Sequence, residues 1–104
     1  MFSKATKVVF IIERLIQDDV IEMLEDAGAK GFTVVPASGQ GEHHRRRGTR
    51  ASVVGDFSIV RIEIIMADGD RARRVSEAVA ARYFDEYPGI VYLADVEVIR
   101  PERF

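Results

Sequence analysis

The residues of this chain best suited to chemistry lie close together. Gly39-Gln40-Gly41 is followed by His43 and His44, by Arg45, Arg46 and Arg47, and by Arg50. Two glycines around one residue let the backbone turn and present its N–H groups with no Cβ in the way, an arrangement suited to an anion. Arginine adds planar forks that match phosphate oxygens. The spacing is not that of a P-loop, because no Gly-Lys-Ser/Thr follows, nor of a dinucleotide fingerprint, because no third glycine opens a helix. Adjacent histidines in an extended segment point opposite ways, and with no cysteine in the chain a metal site is not expected. His43 and His44 read as solvated donors that can approach phosphate.

The charge balance marks the same stretch. The chain of 104 residues has a formal net charge of −2, yet residues 38–55 carry four arginines against Glu42, a local +3 that leaves −5 elsewhere. That asymmetry argues against a coat of basic charge for bulk nucleic-acid binding and favours a local anion site or docking arm. Apolar residues make up 47% and charged residues 31%, the balance of an ordinary globular domain. One domain over 1–104 is expected. No apolar run reaches the roughly 18–20 residues of a membrane span. The first apolar run is followed by Glu13 and has no small-residue cleavage site, so it reads as a strand and the cytoplasm is the expected compartment.

These residues need a frame. Residues 7–13 (KVVFIIE) are β-branched and aromatic and predict a buried strand. Asp18 and Asp19 open a helical pattern through Ile16, Val20, Met23, Leu24 and Ala27, with Gly28 as its C-terminal glycine. Residues 31–35 (GFTVV) predict a second strand, closed by Pro36. After Gly55, FSIVRIEIIMA alternates, placing Val60, Ile62 and Ile64 on one face and Ile59, Arg61, Glu63 and Ile65 on the other. Ile59 and Ile65 are therefore expected to be exposed in a lone subunit and covered on assembly. Asp68 or Asp70 caps a second helix with Ala72, Val75, Val79 and Tyr83 at core spacing. Tyr87-Pro88-Gly89 is a turn before a last strand over 90–99. The order β-α-β-β-α-β is the ferredoxin-like, α+β arrangement. The basic stretch then forms a connection of about 18 residues where hairpins normally use two to five, a length associated with function.

Other chemistries lack their residues. No Ser, His and Asp stand at catalytic spacing and there is no cysteine nucleophile, so no catalytic residue is assigned and an enzyme is not expected. Asp85 and Glu86 read as solvated carboxylates at a helix end. An RNA-binding sheet of this topology stacks bases on central-strand aromatics, whereas the third strand has a single aromatic and the first only Phe10. Nucleic acid is not expected as a partner.

Three segments resemble a known family: GAKGFTV (28–34), the Gly-x-Gly with its arginine run (39–47) and RYFDEYPGIVY (82–92). In this order the chain is similar to the PII-like signalling proteins, in the branch associated with inorganic-carbon uptake and carboxysomes. The resemblance implies a homotrimer with nucleotide sites in the clefts between subunits. It implies that residues 38–56 are the T-loop, which changes order with ligand and touches a target protein. By position, Thr33, Gly89 and Ile90 resemble the adenine side of the pocket. Gly39 and Gly41 resemble the glycines whose amides face phosphate, and Arg46 a T-loop arginine. His43 stands where some relatives have arginine. Arg100 and Arg103 resemble a C-terminal basic pair that reaches across the interface.

The chain departs from PII proteins at two places. It lacks the lysine-bearing glycine-rich loop before the last strand, and the redox-active cysteine pair of some carbon-associated relatives. The expected ligands are therefore ADP and AMP, with ATP, cyclic AMP and bicarbonate as further candidates and no prosthetic group. The expected partner is a bicarbonate transporter or other carbon-metabolism protein, able to recruit the chain to a membrane or carboxysome. The alternative is an interaction module whose basic loop docks on an acidic protein or RNA without a small ligand.

Overall fold

A computed structural model of the chain describes residues 1–39 and 58–104. Strand β1 (Ser3–Glu13) is followed by a 3-10 turn (Arg14–Ile16) and helix α1 (Gln17–Asp26). Edge strand β2 (Thr33–Ala37) leads out to the basic segment, and β3 (Ile59–Met66) returns from it. Helix α2 (Gly69–Tyr83), β4 (Gly89–Val98) and a 3-10 turn (Pro101–Arg103) complete the chain. The strands form one antiparallel sheet in the order β2-β3-β1-β4. The ferredoxin-like α+β order read from the sequence is the one observed.

Period-two alternation puts Val8, Phe10, Ile12, Val60, Ile62, Ile64 and Met66 on the face covered by the helices. Against them pack Ile16, Val20 and Leu24 from the first helical segment and Ala72, Val75 and Val79 from α2. Ser76 sits buried among these residues, and its hydroxyl donates to the Ala72 carbonyl at 2.7 Å, so burial leaves it satisfied. Asp68 caps α2, accepting from the Arg71 N–H at 3.1 Å. Tyr83 is half-buried beside the core. Gly28 has a φ of +96°, and a Cβ there would meet Arg71 Nη1 at 2.8 Å, so both backbone and neighbour require glycine after α1.

Every strand differs from expectation at one end or both. Strand β1 begins at Ser3, because Ser3 to Ile12 pair continuously with β4. Strand β2 passes through Pro36 instead of stopping before it. It lies at the sheet edge, where a missing N–H on the outer side costs no ladder bond. Strands β3 and β4 end at Met66 and Val98, leaving Ala67 and Ile99 exposed outside them.

The opposite face of the sheet carries Val9, Ile11, Val35, Ile59, Ile65, Ile90 and Tyr92, and among the described residues no helix packs on it. Ile59 departs from expectation, being only 6% exposed within the single chain, whereas Ile65 is half-buried. Arg61 pairs with Glu63 at 3.1 Å and hydrogen-bonds the Tyr92 side chain, which holds the guanidinium pKa above its ordinary value. Arg61 is on β3 and Tyr92 on β4, so this bridge crosses β1, where Val9 is fully buried. Around it Ile90, Val35 and Tyr92 remain 58%, 44% and 43% exposed.

Candidate functional site

The sheet register sorts the candidate residues into two groups. Thr33 opens β2 opposite Glu63, and Glu63 lies opposite Val9. Beside this pair the C-terminal 3-10 turn folds back, with the Ala67 N–H donating to the Phe104 carbonyl at 3.3 Å. The result is a concavity of about 210 Å³ lined by Thr33 and Arg103 together with Phe32, Glu63, Ile65 and Phe104. Its walls are apolar and aromatic, while a hydroxyl, a carboxylate and a guanidinium reach its edge. A flat heteroaromatic group with polar edges suits such a lining.

The second group lies toward the other end of the sheet, with Gly89 and Ile90 on the far edge strand β4 and Gly39 just beyond β2. Gly89 opens β4 opposite Ile12, and Ile90 lies opposite Ile11. Gly39 stands two residues beyond Ala37, which pairs with Ile59, itself opposite Glu13. Three strand spacings separate β2 from β4, about 14 Å. The fold therefore brings Thr33 and Arg103 together but does not bring Thr33 to Gly89 and Ile90 within one chain. Arg100 is exposed and starts the C-terminal turn, outside the lining that Arg103 joins. Gly41, His43 and Arg46 lie outside the described residues.

Gly89 has a packing reason to be glycine. A Cβ there would strike the Phe84 ring at Cε1, at Cζ (2.7 Å) and at Cδ1 (2.8 Å). The same connection, residues 84–88, carries exposed Asp85 and Glu86 and no basic residue. The end of β4 nearest Gly39 thus offers no side-chain cation from its own turn.

Phe32, Glu63, Ile65 and Phe104 belong to the concavity and were not singled out as site residues by sequence. Alternation placed Glu63 and Ile65 on the uncovered face, which was a usable signal. That a turn seventy residues after Phe32 closes over them is a tertiary fact.

The sequence matches the family described as Nitrogen regulatory protein P-II over residues 5–103. A PII-like signalling protein from Thermus thermophilus is 26% identical, with 99% of this chain and 97% of that one covered and a TM-score of 0.79. CPII from Thiomonas intermedia, in its structure bound to ADP and bicarbonate, is 25% identical over 100% and 97% of the two chains, with a TM-score of 0.83. Its apo form is 22% identical over 97% and 98%, with a TM-score of 0.74, and shows the shared fold. With the family's pattern running from Ala5 to Arg103 and the same sheet beneath it, this chain belongs to the nitrogen regulatory protein P-II family, as a PII-like signalling protein.

Proposed function

We propose that this chain is an adenine-nucleotide sensor that works as a homotrimer, with each site in a cleft between neighbouring subunits. The observation that carries the reading is the separation of the candidate residues within one chain: Thr33 and Arg103 line one concavity, whereas Gly89 and Ile90 stand on the opposite edge strand and Gly39 beyond the far end of β2. One subunit supplies Thr33 and Arg103 with the concavity for the base. Its neighbour supplies Gly39, Gly89 and Ile90. Assembly through the uncovered sheet face buries the exposed Val35, Ile90 and Tyr92, which gives it a hydrophobic driving force. A relative of this fold binds ADP and bicarbonate, which supports the choice of ligand.

In this reading residues 1–104 are a single domain and 38–56 act as the T-loop. Amides of Gly39 and Gly41 face phosphate, Arg46 supplies the cation, and His43 and Arg100 stand at the margin. No catalytic step is assigned. Phosphate contacts shift the population of loop conformations, and the partner reads that shift. The partner proposed is a protein of inorganic-carbon uptake or carboxysome metabolism, met in the cytoplasm or at the membrane, with bicarbonate as co-ligand.

Calorimetry and sedimentation test the reading together. A trimer is expected at micromolar protomer concentration, and ADP or AMP binds at least as tightly as ATP, because residues 84–88 present carboxylates where a third phosphate needs a cation. A stable monomer contradicts the divided site. ATP preferred tenfold or more, about 1.4 kcal/mol, contradicts the phosphate assignment. If no adenine nucleotide binds, the chain is an interaction module docking through its basic segment.

A further inference from the structure

We infer that Lys30 is a positioning residue for nucleotide binding, acting through the C-terminal turn that holds Arg103 and Phe104 at the base concavity. The inference rests on the proposed reading of Arg103 as a ligand-binding cation. The turn needs holding. Arg100, at its start, has a φ of +63°, the left-handed region that disfavours any residue with a Cβ, and it is the one non-glycine residue with positive φ among those described. A conformation of this kind persists where surrounding contacts over-determine it. Two of the contacts are local, Arg103 N–H to the Arg100 carbonyl at 3.0 Å and Phe104 N–H to the Pro101 carbonyl at 3.1 Å.

Local bonds set the shape of the turn but not its place on the sheet. Two long-range bonds do that. The Ala67 N–H donates to the Phe104 carbonyl at 3.3 Å, and Lys30 Nζ donates to the Glu102 carbonyl at 2.9 Å. The lysine bond is the shorter and has a charged donor, the stronger class of hydrogen bond. It is also the one placed for function. Lys30 stands three residues before Thr33, and Glu102 immediately precedes Arg103. One ammonium thus ties the segment carrying the hydroxyl of the site to the segment carrying its guanidinium. Without it the turn keeps its shape but swings on the Phe104 anchor, and Arg103 is no longer held at the concavity it lines with Thr33.

The test is a double-mutant cycle on the assembled protein, with ADP and adenosine titrated separately. Lys30→Met keeps the aliphatic stem and removes the donor, and is expected to weaken ADP binding about fivefold. Arg103→Ala is expected to weaken it about tenfold or more. The double variant should match Arg103→Ala within about twofold, because Lys30 has nothing left to position. Lys30→Arg, which retains a charged donor, should restore most of the affinity. Adenosine, whose base meets the same concavity, should weaken along with ADP in Lys30→Met, and the variant's midpoint of thermal unfolding should stay within about 2 °C of wild type, since Lys30 is exposed.

Two results overturn the inference while leaving the nucleotide reading intact. One is Lys30→Met binding ADP as wild type does. The other is the two losses multiplying in the double variant, which would make Lys30 an independent electrostatic contributor. Arg103→Ala without effect also overturns it. Wild type that fails to bind ADP overturns both this inference and the function it rests on.

Discussion

Replacing Gly89 by alanine separates what this residue does for packing from any part it has in binding. Its φ is not positive, so alanine suits the backbone and the whole effect must come from the new methyl group. That methyl would lie 2.7 Å from Phe84 Cζ and 2.8 Å from Cδ1, where carbon atoms settle at about 3.5–4.0 Å. The ring must withdraw by about 1 Å. Phe84 is half-buried against the core, at the C-terminal end of α2, so its ring cannot simply turn into solvent. Overpacking of this kind costs about 1–3 kcal/mol. For a domain of this size that lowers Tm by roughly 5–15 °C. Differential scanning calorimetry at fixed protomer concentration is the assay, because assembly couples Tm to concentration. Gly31→Ala is the internal control, since a Cβ there meets nothing within 4 Å. Phe84→Leu combined with Gly89→Ala should be more stable than the two single effects predict, by about 1 kcal/mol. An unchanged Tm in Gly89→Ala, or strict additivity in the double variant, refutes the close-packing argument.

Two further outcomes follow from individual groups. Arg46→Ala should weaken ADP binding by roughly ten- to a hundredfold, the value of a charge-assisted contact to phosphate. Adenosine should lose little, and calorimetry with both ligands checks the difference. Asp68 has its carboxyl held below the usual carboxylate range, chiefly by the hydrogen bond from the Arg71 N–H. The sign follows: its contribution is present above the unfolded pKa and is lost as pH falls through the lower, folded value. Asp68→Asn keeps an acceptor for the cap and should retain most of the neutral-pH stability with a flatter acid limb. Asp68→Ala should lower Tm at neutral pH. Thermal unfolding between about pH 2.5 and 7 reads both.

Patterning along the chain was enough for the frame. Alternation in 59–66 and helical spacing through Val75 and Val79 dictated which face of each element is buried, since a side chain's direction in a strand or helix is set by local geometry. Asp68 and Gly28 marked helix ends because an unpaired N–H and a left-handed turn are local needs that particular residues meet. Strand limits were less legible. Pro36 reads as a terminator unless the strand is known to lie at an edge, and edge position depends on which strands pair.

The site divided along the same line. Gly39 and the arginines after it were visible as residue types suited to a phosphorylated ligand, whereas Thr33 entered only through the family resemblance. Their meeting places were not. The concavity joins Phe32 and Thr33 to Glu63 and to Arg103, positions that only the sheet register and the returning C-terminal turn bring into contact. Likewise, that Val9 is fully buried while Ile90 stays 58% exposed on the same face is decided by the packing of the whole sheet and not by local pattern. Sequence by itself determined the elements and their inward faces, because each depends on backbone preferences and side-chain types within a few residues. Tertiary structure decided that Thr33, on β2, and Gly89 and Ile90, on β4, stand on opposite edges of one sheet, because strand order is a property of long-range pairing that no local pattern encodes.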